Sequence, residues 1–233
     1  MTGTGTDVGK TVVAAVLARA EAESGVRVSS YKPAASGLDE LPATPAEPGW
    51  DVASDLPDHQ LLRLAGGLTQ DAAEVCPRTF GPAVSPHLAT ALVGEESLDP
   101  QEIEASAWHA ADGAEAFVCE GVGGALVPLT LDPAYLVRDL IVALGLPAVV
   151  VASPGLGTIN HTLLTLESLR AAGIEVDRIV LNPWPAEPGP LEVSNRETIE
   201  ELGGSPVEVL PELDLARPQS WPSLAPLPAW RRA

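Results

Sequence analysis

The sequence predicts an α/β fold in which a single parallel sheet is covered by helices on both faces. Three observations support this prediction. The chain has 233 residues, enough for one domain with a sizeable core. A glycine-rich loop ending in Gly-Lys-Thr directly precedes an apolar helical segment. Short segments rich in Val and Ile then alternate with longer amphipathic ones, which is the pattern of a covered parallel sheet.

The strands and helices follow one another in a regular order. Short apolar runs predict strands at 26–33, 114–121, 146–153, 178–184 and 205–213. Amphipathic segments predict helices at about 10–24, 57–66, 99–111, 133–145, 158–172 and 194–203, with starts marked by Asp99-Pro100, Asp132-Pro133 and Thr158. Ligands of such folds bind at the carboxyl ends of the strands. The segments after the strands are therefore the candidates for function.

The first strand is short in this sequence, because only Met1 and Thr2 precede the glycine loop. We expect roughly six to eight further residues before Met1 in the natural product, forming the strand that phosphate-loop folds use there. The remaining organisation predicts one domain over 1–233. Two proline-rich stretches stand out within it, a mobile loop at 39–50 and a tail at 218–233.

Charge and hydropathy exclude several classes of partner. The formal net charge is −19, from 13 basic and 32 acidic residues, and nucleic acids and anionic membranes both require a cationic surface. No apolar run is long enough to span a membrane, and the N-terminus lacks the pattern of a signal peptide. We therefore expect a cytoplasmic protein that binds neither nucleic acid nor membrane.

The opening loop, GTGTDVGKT at 3–11, predicts a phosphate-binding site. Backbone N–H groups and a helix N-terminus converge there, so that Lys10 would contact the β- and γ-phosphates and the Thr11 hydroxyl a Mg²⁺ ion. Five residues separate Gly3 from Gly9, one more than in the common pattern. A glycine-rich helix start that binds no phosphate is the alternative.

Lysine is used sparingly in this chain. Of the 13 basic residues only Lys10 and Lys32 are lysine, and both lie in loops marked by glycine or proline. An arginine-rich chain that keeps two lysines indicates sites where a compact ammonium is needed, because guanidinium is broad and planar.

Acidic residues offer candidate metal ligands. Glu120 ends a buried strand, where an ionised carboxylate is costly unless it is paired or bound to metal, and a Mg²⁺ ion shared with Thr11 would satisfy it. Asp55 is the second candidate, although Asp51 and Asp58 lie nearby and spacing alone does not choose among them.

The segment SPGLGTINHT at 153–162 predicts an anion site, because a glycine turn precedes a helix that begins near Thr158. Asn160 and His161 are the polar groups it offers, and His161 is interpreted as structural because no base or metal partner is nearby.

Several motifs together resemble the dethiobiotin synthetase family, from Gly3 to about Leu213. They are GTGTDVGKT, YKPAASG, SPH, EGVGG, GTINHTLLTLE and SNRETI, in that order. The resemblance implies a homodimeric P-loop NTPase-like domain that uses ATP and Mg²⁺. The implied substrate, 7,8-diaminononanoate, would take up CO2 on one amine, and the resulting carbamate would be activated by ATP before the second amine closes a ureido ring.

The resemblance also implies roles for individual residues. The catalytic residues would be Lys10, Lys32 and Thr6. The nucleotide would be bound by Gly5, Asp7, Val8, Gly9, Lys10, Thr11, Asn182, Pro211, Glu212 and Leu213. The substrate would be bound by Ser36, Gly123, Gly157, Thr158, Ile159, Asn160 and Asn195, with the turn at 157–160 supplied by the dimer partner. The metal ligands would be Thr11, Asp55 and Glu120.

Some positions depart from the family pattern. Pro183 follows Asn182 where some relatives have aspartate, which leaves the preference for ATP over other nucleotides open, and Asn195 stands where some members carry tyrosine.

Three other classes of protein were weighed against this one. Partition-type ATPases carry a further lysine early in the loop, which this chain lacks, and cobyrinic-acid synthases carry an added glutaminase domain, for which too little chain remains. A degenerate or regulatory nucleotide-binding protein without ligase activity is the principal alternative.

Overall fold

The computed structural model describes residues 1–42 and 48–228. The strands within them are β1 (Thr2–Gly3), β2 (Val28–Tyr31), β3 (Ala116–Cys119), β4 (Pro128–Leu131), β5 (Ala134–Leu136), β6 (Ala148–Ala152), β7 (Val176–Trp184) and β8 (Val207–Pro211). The helices are α1 (Lys10–Glu23), α2 (Asp58–Ala65), α3 (Ala72–Val75), α4 (Pro86–Val93), α5 (Pro100–Ala110), α6 (Val137–Leu144), α7 (Thr158–Ala171) and α8 (Pro190–Gly203).

The central sheet is parallel, as predicted. Strands β1, β6, β7 and β8 are hydrogen-bonded in that order, and β2 pairs with β3 in parallel. The second pair adjoins the other side of β1, because Gly3 bridges to Gly124 and the Gly121 amide donates to the Met1 carbonyl oxygen at 2.9 Å. Strand β1 therefore lies between β3 and β6, and the loop that follows it opens at the carboxyl edge of the sheet.

Alternate residues of the strands face opposite layers of helices, which confirms that the sheet is covered on both faces. In β6, Ala148, Val150 and Ala152 belong to the core shared with α7 and α8. Val149 and Val151 face α1 instead. The strands therefore contain almost continuous apolar sequence, as strands buried on both faces do.

The predicted elements agree with the structure except in two places. The segment 133–145 begins as a strand, because Asp132 and Pro133 form the turn of the antiparallel hairpin β4–β5, and α6 starts only at Val137. Helix α8 begins at Pro190, earlier than the predicted residue 194. Strand β4 and the short helices α3 and α4 lie in stretches for which the sequence predicted no element.

Strand β1 is only two residues long. An apolar cavity of about 170 Å³ adjoins Met1 and is lined by residues of β3, β6 and α6. The Met1 ammonium donates to the Cys119 carbonyl oxygen at 2.7 Å, and burial lowers the pKa of this ammonium below its usual range. The first strand thus contributes few backbone hydrogen bonds to the sheet that holds the phosphate loop.

The two proline-rich stretches are described in part. Short 3₁₀ helices at Leu38–Glu40 and Trp50–Asp55 flank residues 43–47, which lie outside the described residues, as do residues 229–233. The described part of the tail packs on the core, with Leu224 buried beside α1. Across 1–42 and 48–228 there is no helix with the length and apolarity needed to cross a membrane.

Candidate active site

A cleft of about 800 Å³ opens at the carboxyl edge of β1, β2 and β3. It is lined by nine residues that the sequence had singled out: Thr6, Asp7, Gly9, Lys10, Thr11, Lys32, Ser36, Glu120 and Gly123. The predicted phosphate loop, both lysines and one predicted metal ligand therefore share one space.

The phosphate loop is closed by Gly9, the residue before α1. Its φ of 83° is left-handed, a conformation that favours glycine, and a Cβ atom there would lie 1.9 Å from Asn182 Nδ2. That amide nitrogen donates to the Val8 carbonyl oxygen at 3.1 Å. Lys10 Nζ in turn donates to the Gly5 carbonyl oxygen at 2.8 Å. Loop, lysine and Asn182 thus hold one another in place.

Lys32 and Glu120 meet because of the register of β2 and β3. Tyr31 lies opposite Cys119, so the next residue of each strand projects from the same edge. Lys32 Nζ donates to Glu120 Oε1 at 2.7 Å, and the Thr11 hydroxyl donates to the same oxygen at 2.8 Å. Side chains from the ends of two strands and the start of α1 therefore converge on one carboxylate.

The structure brings Asp58, rather than Asp55, to this cluster. Lys32 Nζ donates to Asp58 Oδ2 at 2.6 Å, and Asp58 lines the cleft as the first residue of α2. Asp55 is exposed at the end of a 3₁₀ helix and does not line the cleft. Of the three aspartates that spacing had left open, Asp58 therefore lies in the cleft and Asp55 does not.

The electrostatics of the cluster favour the charged forms of both Lys32 and Asp58. Burial alone would lower the pKa of Lys32, but the carboxylates of Glu120 and Asp58 outweigh it and raise that pKa above its usual range. Burial would raise the pKa of Asp58, and the Lys32 ammonium outweighs it and lowers the pKa. The pKa of Lys10 is lowered by burial, which the nearby carboxylates offset only in part.

A divalent cation fits the oxygen atoms of this cluster. Glu120 is fully buried, and its Oε2 has no hydrogen-bond partner among the described residues. Over the same residues, no group of three or more His, Cys, Asp or Glu side chains is gathered that could hold a metal by itself. Mg²⁺ is typically bound by one or two carboxylates together with substrate phosphates, and Thr11, Asp58 and Glu120 match that donor set.

The predicted carboxylate-binding turn lies outside this cleft. Gly157, Ile159, Asn160 and Asn195 line a separate surface depression of about 470 Å³. Thr158 is buried, and its hydroxyl lies 3.4 Å from that of Thr162.

Asn195 stabilises the glycine turn before α7. Its Nδ2 donates to the Pro154 carbonyl oxygen at 2.8 Å and to that of Gly155 at 3.1 Å. Within one chain, therefore, the turn and the lysines do not face the same space.

The remaining predicted nucleotide residues lie in β7 and at the end of β8. Asn182 lies against the phosphate loop, as described above, whereas Pro211 and Glu212 are exposed and Leu213 packs beside the core cluster that contains Val8.

One wall of the cleft consists of residues for which the sequence predicted no role. Ala83, Val84 and Ser85 line it immediately before α4. The only signal for this wall was the SPH motif, which carried no assigned role.

Known proteins resemble this chain along most of its length. A family model described as an AAA domain matches residues 1–222. The chain is 42% identical over 219 residues to the ATP-dependent dethiobiotin synthetase BioD of Anaeromyxobacter dehalogenans (strain 2CP-1 / ATCC BAA-258), covering 93% of this chain and 91% of the relative.

The protein of the same name from Bacillus licheniformis is 40% identical, over 94% of this chain and 87% of the relative. That of Rhodococcus erythropolis (strain PR4 / NBRC 100887) is 37% identical, over 89% and 84%. Identities at this level along almost the whole length establish that the chain belongs to the dethiobiotin synthetase family.

Proposed function

We propose that this protein is an ATP-dependent dethiobiotin synthetase, which closes the ureido ring of dethiobiotin from 7,8-diaminononanoate and CO2 with ATP as co-substrate. The observation that carries the proposal is the meeting of the phosphate loop, two buried lysines and Glu120 in one cleft. Phosphoryl transfer to a carbamate needs mainly positioning and neutralisation of charge, and this cleft supplies both.

The reaction consists of three bond-forming steps. One amine of the substrate attacks CO2 and loses a proton, which gives a carbamate. A carbamate oxygen then attacks the γ-phosphorus, and ADP leaves. Finally the second amine attacks the carbamoyl carbon and loses a proton, the C–O bond to the phosphate breaks, the ring closes and inorganic phosphate leaves. No residue is required as nucleophile, because the free amines fill that role.

The residues of the cleft divide the work of binding. Lys10 and the loop amides from Gly5 to Thr11 hold the phosphates, and Lys32 neutralises the carbamate and the γ-phosphate. Thr6, Ser36 and Gly123 lie where they can orient the diamine. Thr11, Asp58 and Glu120 hold Mg²⁺, which neutralises phosphate charge when it is bound. Asn182, with the segment 211–213, contacts the base and ribose.

We further propose that the enzyme is a cytoplasmic homodimer of 1–233 single-domain chains. Leu156 is 91% exposed and Leu164 56% exposed beside the depression that contains Gly157 and Asn160. Exposed apolar side chains around a concave surface are typical of an interface. A partner chain docked there would bring the turn at 157–160 towards the cleft of its neighbour, where the amides at the start of α7 can receive the substrate carboxylate.

Product formation tests the proposed function directly. Purified protein is incubated with 7,8-diaminononanoate, bicarbonate and Mg²⁺, and with ATP, CTP, GTP or UTP in turn, and dethiobiotin is detected by mass spectrometry. We expect dethiobiotin in the presence of ATP and none when nucleotide or bicarbonate is omitted. Tight nucleotide binding without product under any of these conditions would favour a nucleotide-binding protein that lacks ligase activity.

A further inference from the structure

Lys32 occupies the place of a cation between the carboxylates assigned to the metal. Its Nζ lies 2.6 Å from Asp58 Oδ2 and 2.7 Å from Glu120 Oε1. Its side chain is 4% exposed, and that of Glu120 is fully buried. Thr11, the third proposed ligand, donates to the same Glu120 oxygen. The ammonium therefore pairs with both carboxylates that the proposed function gives to Mg²⁺ and offsets one of their two negative charges.

The ammonium and a divalent cation compete for these oxygens. Placing Mg²⁺ beside Glu120 and Asp58 while Lys32 remains would bring two cations together next to the fully buried Glu120 carboxylate, where like charges repel more strongly than in water, although Asp58 itself is half exposed. The ammonium satisfies Glu120 incompletely, because Oε2 has no partner among the described residues. While Lys32 pairs with both carboxylates it therefore blocks a metal ion. Because Glu120 Oε2 still lacks a partner among these residues, a metal ion can replace the ammonium once Lys32 moves away.

A nucleoside triphosphate offers Lys32 another anionic partner. The cleft that contains Lys32 also contains Lys10, Thr11 and the phosphate loop, so a γ-phosphate bound there would lie within reach of both lysines. Once Lys32 pairs with phosphate, the two carboxylates lose their cation and become available to Mg²⁺.

We propose that Lys32 is a stand-in for the metal: in the nucleotide-free enzyme it blocks divalent cations from Glu120 and Asp58, and bound triphosphate draws it away so that metal enters together with nucleotide. This inference rests on the proposed metal site. It makes metal binding conditional on nucleotide, and by linkage the metal raises the affinity for nucleotide by the same factor.

The wild-type chain allows a direct test, because Lys10 and Lys32 are its only lysines. Protein labelled with ¹³C-lysine gives two Cε signals, which the Lys10→Met variant assigns. We expect the Lys32 signal to keep its position during a Mg²⁺ titration into the low millimolar range and to shift when a non-hydrolysable ATP analogue is added with Mg²⁺. Saturable Mg²⁺ binding without nucleotide, with the Lys32 signal unchanged, would overturn the proposal.

Variants supply a second test. Mn²⁺ binding to nucleotide-free protein is measured from the electron paramagnetic resonance signal of free Mn²⁺. We expect Lys32→Met to bind Mn²⁺ at least about tenfold more tightly than wild type, which corresponds to about 1.4 kcal/mol. Lys10→Met is the matched control: it removes an equal charge from the same cleft but contacts no carboxylate, so its Mn²⁺ affinity should change by less than about threefold.

The outcomes separate this proposal from the proposed function. If wild type forms dethiobiotin but Lys32→Met binds Mn²⁺ no more tightly than wild type, the stand-in role is wrong and the ligase remains. If wild type forms no dethiobiotin, the proposed function fails whatever the metal titrations show. Thermal melts verify that Lys32→Met is folded. Should it not fold, the ¹³C-lysine titration of wild type decides alone.

Discussion

At the scale of single residues, the active cleft depends on where Lys32 and Glu120 stand relative to their strands. Each is the first residue after a strand, and the parallel register places them side by side. Breaking a buried pair by removing one partner typically costs about 3–5 kcal/mol, because the other charge is left uncompensated. Substitutions at Lys32 that keep its charge are therefore more informative about chemistry than those that remove it.

We predict that Lys32→Arg abolishes turnover and leaves Mg-nucleotide affinity within about threefold of wild type. The guanidinium keeps the charge but is too broad for a site in which one ammonium nitrogen contacts two carboxylates at 2.6 and 2.7 Å. Product formation and calorimetric titration with a non-hydrolysable ATP analogue measure the two effects. Near-normal turnover in this variant would rule out the role given to Lys32.

We predict that Gly9→Ala weakens nucleotide binding by at least about tenfold. The added methyl would collide with Asn182 Nδ2, which is buried and held by Val8, and a φ of 83° is strained for alanine. Gly66→Ala serves as the control, because Gly66 has a negative φ and the nearest atom to its Cβ would be 3.5 Å away. Equal nucleotide affinities in the two variants would show that the Gly9 conformation is dispensable.

Most of the residues that meet in the cleft could be predicted from the sequence, but the aspartate among them could not. The phosphate loop could be predicted from the order of its glycines, lysine and threonine, because all the residues that form it lie within nine consecutive positions. Which of Asp51, Asp55 and Asp58 reaches the cleft depends instead on where the 3₁₀ helix Trp50–Asp55 ends and α2 begins. Asp55 is exposed whereas Asp58, three residues later, lines the cleft, and spacing along the chain does not distinguish the two.

At the scale of elements, Arg178 of β7 binds the C-terminal tail to the sheet. This buried side chain pairs with Asp177 and Glu208 and donates to the carbonyl oxygens of Ala225 and Pro226. Leu224, just before these carbonyls, covers the core cluster of α1. The tail thus belongs to the layer that supports the phosphate-loop helix.

We predict that Arg178→Ala lowers the free energy of unfolding by about 3–5 kcal/mol, because it strands partly buried carboxylates and releases the tail. The control is Arg27→Ala, which breaks the exposed pair with Glu115 and should cost no more than about 1 kcal/mol. Urea unfolding followed by circular dichroism measures both. Equal unfolding midpoints would mean that the tail contributes nothing to the core.

Strands and long helices were predictable because their apolar periodicity is local. The hairpin β4–β5 was not, because Asp132-Pro133 matches a helix start as well as it matches a turn. What decides between them is the pairing of Leu131 with Ala134 across the turn, a contact that appears only in the folded chain.

At the scale of the whole molecule, the proposed homodimer needs two chains for one complete site. The cleft with the lysines and the turn at 157–160 are separate surfaces of one chain. Closed symmetric dimers repeat every contact twice, so a turn donated to a neighbour is also received from it.

We predict that two inactive variants restore activity when they are mixed. Lys32→Ala chains keep the turn, and Gly157→Val chains keep the lysine, so half of the sites in a mixed dimer are complete. After exchange of subunits, the mixture should recover about a quarter of the wild-type rate per chain. Each variant alone, treated identically, is the control. A mixture no more active than its components would place each site within one chain.

The fate of carbon and phosphate in one reaction shows whether the cleft closes a ureido ring. Wild-type protein is supplied with ¹³C-bicarbonate, 7,8-diaminononanoate and MgATP, and dethiobiotin and ADP are quantified together. The account predicts dethiobiotin with the label in the ureido carbon and one ADP formed for each ring closed. ADP formed without labelled dethiobiotin would contradict it, because the lysines and the phosphate loop would then serve hydrolysis rather than ring closure.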